Sequence, residues 1–263
     1  MAHVHDVPHA IGADDTLSPP VRSVGLDAPL RWLAAGWHDL RATGFRGAFY
    51  GAIFALMGAL VLTVYETYWQ LTMGLLAGFF LVGPFICTGV YELSRQHERG
   101  EAAHLRASLT CWRRNLGSIA FFAAILTFAM IVWARVSVVM FALFSTTDFP
   151  TMRGVIYQIF SLQNPEFVLV WGGVGFVFAS LVFAISVVSV PLMLDRRTDT
   201  MMAIFSSVRS LMRSPAPLYL WACMIVAILG LSMLAWFVPL IVTAPLIGHA
   251  TWHAYRDLIA PQR

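Results

Sequence analysis

Ala-Pro-Leu-Ile-Gly-His-Ala-Thr-Trp-His-Ala-Tyr-Arg-Asp, residues Ala244 to Asp257, closes the last apolar run of the chain. It combines a proline, two histidines one helical turn apart and an arginine where the apolar run stops. The same spacing occurs upstream: Pro84 is followed seven residues on by Tyr91 and eleven on by Arg95, as Pro245 is by Trp252 and Arg256. A third proline before an arginine, Pro191 with Arg196, is spaced at five residues. Apolar helices ending in arginine belong to a chain that uses lipid as its solvent.

Composition agrees. Of 263 residues 59% are hydrophobic and 12% charged, with a mean hydropathy of +0.73, against about 25% charged in soluble domains. All 17 basic residues are arginine. They are spread between apolar runs and form no continuous basic face, so the pI near 9.0 does not imply nucleic acid. Cys87, Cys111 and Cys223 show no CxxC spacing, which argues against a disulfide framework or zinc knuckle. No apolar signal-peptide region lies between Met1 and Leu30.

These patterns predict an all-α polytopic membrane protein: six spans at about 47–65, 69–93, 117–134, 167–194, 217–236 and 238–255, arranged as three hairpins. Residues 1–29 read as a disordered, solvated tail in which His3, His5 and His9 offer donors for a soft metal and Met-Ala-His resembles a copper-chelating tripeptide, 30–259 as the membrane domain, and 260–263 as a short end. Two to three amphipathic surface helices are expected. The first, from Leu30 to Ala42, places Leu30, Leu33, Trp37 and Leu40 opposite Arg31, His38 and Arg41. Another lies within Gln96–Arg114, and a third begins at Thr198 and Asp199 with Met201, Phe205, Val208 and Met212 on its buried face. Arg135 interrupts after the third span, and the chain up to Gln163 reads as a loop with Val155, Ile156, Ile159 and Phe160 on one apolar side. Gly47 and Gly51 on the first span and Gly74 and Gly78 on the second form small-residue stripes that predict close helix packing. With the amino terminus cytoplasmic, 15 of the 17 arginines fall inside and only Arg135 and Arg153 outside, which places both termini in the cytosol. The three proline segments then all run outward to inward, as a parallel internal repeat would.

His249 and His253 share one helical face and are the metal half-site expectation, with further ligands to come from Cys87, Glu92, Asp195 or His97. The plainer expectation is hydrogen bonding between helices. Two histidines one turn apart cannot sit on opposite faces of a haem, and no cofactor is expected. Pro84, Pro191 and Pro245 each free a backbone carbonyl that either lines an ion path or merely kinks the helix. Tyr91 with Arg95 and Trp252 with Arg256 read as interfacial anchors. No Walker loop, GxSxG, HExxH or dinucleotide fingerprint is present.

Val82-Gly-Pro-Phe-Ile-Cys-Thr-Gly-Val-Tyr-Glu-Leu-Ser-Arg95, Ser189-Val-Pro-Leu-Met-Leu-Asp-Arg196 and Pro245-Leu-Ile-Gly-His-Ala-Thr-Trp-His-Ala-Tyr-Arg256 together resemble the DUF2189 family of bacterial integral membrane proteins, from about Leu40 to Ile259. The resemblance implies a bacterial inner-membrane setting and no mechanism. Some members are labelled as similar to cytochrome c oxidase subunit I; this chain has too few histidines within its spans for that chemistry. The expected function is a non-catalytic accessory, assembly or scaffold component touching lipid and other membrane proteins or a second copy. The alternatives are a small-molecule or ion permease, and a metal- or haem-associated protein.

Overall fold

A computed structural model describes residues 19–144 and 165–261. Among these residues ten α-helices follow in order: α1 (Ala28–Thr43), α2 (Phe45–Thr67), α3 (Trp69–Glu98), α4 (Leu105–Thr110), α5 (Leu116–Phe144), α6 (Pro165–Ser186), α7 (Ser189–Arg196), α8 (Thr200–Arg213), α9 (Pro215–Leu234) and α10 (Leu240–Leu258). A 3-10 turn, Cys111–Asn115, joins α4 to α5. The all-helical expectation holds for the described residues, whose one departure is an isolated bridge between Val21 and Ile259.

Among the described residues five stretches are long and apolar enough to cross a membrane: Phe45–Tyr65, Gly74–Glu98, Leu105–Met140, Pro165–Arg196 and Pro215–Leu234. The first, at 21 residues, is about 32 Å long, close to a hydrocarbon core of roughly 30 Å. The expected sixth span, 238–255, corresponds to α10, which does not join these five. Histidines, threonines and Arg256 dilute its hydropathy, and its polar side chains are tolerated because the helix lies inside the bundle. Pro245, Ile247, His249, Ala250, Trp252, Ala254, Tyr255 and Leu258 of α10 are all buried. Around it pack α1, α2, α3 and α9.

Glycines set how closely α10 is approached. A Cβ on Gly36 of α1 would stand 2.6 Å from the Ala250 nitrogen, and one on Gly51 of α2 would stand 2.1 Å from the Ile241 carbonyl oxygen. Backbone therefore meets backbone at both crossings, which is what small residues permit. Gly47 faces Leu40, Thr43 and His249. The stripe on α2 thus serves α10, whereas the expected partner stripe on α3 does not meet it. Gly74 and Gly78 have nothing within 4 Å of an added Cβ, and the close approach of α2 to α3 occurs where Gly89 meets the Tyr50 ring. Gly44, with φ +53°, turns the chain from α1 into α2.

Several boundaries differ from expectation. The third span does not stop at Arg135: α5 continues to Phe144, because an exposed arginine costs a helix little when its head reaches out of the apolar zone. The second span runs on through Glu98, so the surface helix expected within Gln96–Arg114 shortens to α4 and its 3-10 turn. On α8 the buried face is the small one, Thr200, Ala203, Ser206, Ser207 and Ser210, while Met201, Phe205 and Met212 are exposed. The reason is stitching to α6: Ser207 Oγ donates to the Ala184 carbonyl at 2.7 Å, beside a break at Val187–Val188. That break separates α6 from α7 and leaves Pro191 in the first turn of a new helix, where a missing N–H is harmless. Pro84 and Pro245 instead lie inside continuous helices. The tail expected to be disordered over 1–29 is anchored in its last third. Arg22 N–H donates to Leu258 O at 2.7 Å, Ala260 N–H to Pro20 O at 2.9 Å, and Val24 N–H to Ser214 Oγ at 3.0 Å. The expected apolar side Val155, Ile156, Ile159 and Phe160 lies outside the described residues, as do Arg153, His3, His5 and His9.

Candidate functional site

Residues singled out at the ends of the proline segments converge at one end of the bundle. The Glu92 carboxylate of α3 is buried and pairs with Arg95, whose Nη2 donates to Oε1 at 3.3 Å and whose Nε stands 3.0 Å from Oε2. Arg114, from the turn before α5, reaches the same Oε2 at 3.0 Å. Asp195 on α7 accepts from Tyr255 OH at 2.7 Å, with Arg95 at 4.0 Å and Arg256 at 3.7 Å. Arg256 also pairs with Glu98 at 2.8 Å, whose other oxygen accepts from Trp252 Nε1 at 3.1 Å. Arg196 donates to Tyr255 OH at 3.3 Å and to the Ala260 carbonyl. Charged groups taken this far from water persist only when paired and hydrogen-bonded, and here the pairing locks α3, α7, α10 and the turn before α5 together. Asn115 adds neutral ties, donating to Met193 O at 3.0 Å and Thr198 O at 2.8 Å.

The anchor reading of the aromatic residues is corrected by this network. Tyr91 and Trp252 are buried, and the Trp252 N–H is spent on Glu98, so both rings pack inside the bundle.

A second polar cluster lies beside the first, around His253 of α10. His38 and Asp39 come from α1, His97 from the last turn of α3, and His249 and His253 from α10. Asp39, 3% exposed, accepts from His253 Nε2 at 2.9 Å through Oδ2. Its Oδ1 stands 3.7 Å from His97 Nε2, which is 3.4 Å from His38 Nδ1. Burial pushes the Asp39 carboxyl up, but hydrogen bonds from His253 and Ser94 and the nearby imidazoles His253 and His249 outweigh it, holding it below the ordinary carboxylate value.

His249 and His253 do not act as one half-site. His249 is fully buried with both ring nitrogens engaged, Nδ1 with Ser94 Oγ at 2.6 Å and Nε2 with Thr43 Oγ1 at 3.3 Å. A hydroxyl on each side is the interhelical role, and it leaves no lone pair for a metal. Of the ligands expected to join the pair, His97 is close to the His253 side, whereas Glu92 and Asp195 belong to the ion network. The sequence reading missed Asp39 and His38 as site members. Their signal was an adjacent His-Asp pair on a surface helix, which has no chemical meaning until α1 is docked against α3.

These observations describe a helical chain with apolar spans and a charged end, and comparison with known proteins agrees. Residues 71–195 match the DUF2189 family. That family is described as a predicted integral membrane protein, and the chain is an integral membrane protein. The DUF2189 match runs from α3 to α7 and contains Pro84, Tyr91, Glu92, Arg95, His97, Arg114, Pro191 and Asp195. It is narrower than the resemblance noted from Leu40 to Ile259, and leaves α1, α2 and α8 to α10 outside. No curated protein and no solved structure matches the chain.

Proposed function

We propose that this chain is a non-catalytic accessory or scaffold component of a bacterial inner-membrane complex, with both termini and the ion network on the cytosolic side. The carrying observation is how its polar groups are used. The carboxylates Glu92, Glu98 and Asp195 are engaged by arginine, tryptophan and tyrosine side chains of the same chain, which makes a rigid cap. Small-residue surface, in contrast, is left free for another helix: Gly74 and Gly78 on α3 meet nothing among the described residues. The occupant is a transmembrane helix of a partner or of a second copy.

Cysteine placed at Gly74 or Gly78 and cross-linked in native membranes tests the reading. The expected product is a covalent adduct with another membrane chain. A single uncross-linked species, also monomeric after gentle-detergent purification, overturns it.

A further inference from the structure

We propose that His38, Asp39 and His97 form a binding site for a divalent transition metal, zinc foremost, with His253 orienting the carboxylate. Nothing in the scaffold reading requires this site, and it stands on separate observations.

The first is spacing. One ligand atom from each of His38, Asp39 and His97 lies within 4.8 Å of the other two, and His97 Nε2 stands 3.4 Å from His38 Nδ1 and 3.7 Å from Asp39 Oδ1. Donor atoms at roughly 2.0–2.1 Å from a tetrahedral zinc stand about 3.3–3.4 Å apart, so the group is already near coordination geometry. Small movements of the two partly exposed imidazoles close the rest.

The second is the state of the carboxylate. Asp39 is buried, and the potential cations that the structure sets against it are histidines, which carry charge only when protonated. A buried carboxylate is retained when it is paired or binds a metal. A metal at Oδ1 supplies full positive charge while Oδ2 keeps its bond from His253 at 2.9 Å. His253 then does what outer hydrogen-bonding partners do at metal sites, fixing which lone pair the carboxylate presents.

The third is donor chemistry. Two imidazoles and one carboxylate favour zinc and its first-row neighbours over calcium or magnesium, which prefer sets made wholly of oxygen. Three protein ligands leave a fourth position toward solvent, on the side where His38 is exposed. The three ligands come from α1 and α3, with His253 on α10 behind them. Occupancy therefore staples the surface helix to the bundle.

The test uses the full chain in detergent, with His3, His5 and His9 replaced by alanine so that the tail cannot contribute. After loading with Zn2+ and desalting, elemental analysis is expected to find one equivalent of zinc. Asp39→Asn and His97→Gln should lose it, His253→Gln should weaken it roughly 10- to 100-fold, and His104→Ala, at an exposed histidine outside the cluster, should keep it. His38→Gln, at an exposed position on α1, carries the same expectation of loss should a buried variant fail to fold. Co2+ bound to the chain with all site residues intact should give the intense visible bands of low coordination. No retained zinc, equal retention in Asp39→Asn, His97→Gln and His38→Gln, or a weak octahedral cobalt spectrum overturns the proposal.

Discussion

His249 and His253 sit one turn apart on one helix, and their surroundings separate them completely. His249 lies deep, between two hydroxyls, where a neutral ring satisfies both helices it touches. His253 lies nearer the end and faces a carboxylate. A similar contrast separates α9 and α10, where Ser232 and Thr243 share one neutral hydrogen bond at 2.9 Å, from the arginine-rich end, where charged groups are shared among several helices. Depth along the bundle, more than residue type, decides what a polar side chain does, because the cost of an unpaired charge rises steeply away from water.

Breaking the charged end should have the largest effect. Glu92→Ala removes the shared partner of Arg95 and Arg114 and is expected to cost about 3–5 kcal/mol, read as lost thermal stability in detergent. In the apolar middle, Gly51→Leu forces a side chain against the Ile241 carbonyl. The expected loss is about 1–3 kcal/mol, measured the same way. Asp39 sharpens the contrast through pH. Its folded-state carboxyl is held low, so its stabilising contribution is complete above the usual carboxylate range and is lost as pH falls through the lowered value. The gap in melting temperature between the natural chain and Asp39→Asn should therefore close on acidification. Smallest of all, Gly78→Ala meets open space and should change the stability of the isolated chain by less than about 0.5 kcal/mol.

What was legible in the sequence followed from one-dimensional signals. Apolar runs and the helix read from Leu30 to Ala42 appear where composition and periodicity put them, the latter as α1. Arg135 misled because hydropathy counts a charge without knowing whether its head faces outward, and α5 runs through it. The stripe on α8 misled for a related reason: an amphipathic pattern shows that two faces differ, and serine hydrogen bonds, rather than methionine burial, chose the inner one. Arg95, Trp252 and Arg256 were marked by repeated spacing, yet their partners Glu98 and Asp195 on other helices emerge only from the register of α3, α7 and α10. The Asp39 cluster was least legible, since Asp39 and His253 are separated by 214 positions in the chain.

In the proposed topology lipid surrounds the apolar spans and the ion network faces the cytosol. Single cysteines at Gly100 and Glu101, in the exposed link after α3, labelled with a membrane-impermeant reagent on intact cells and on inside-out vesicles, test this directly. Labelling confined to the vesicles is the expected result; labelling on intact cells contradicts the account.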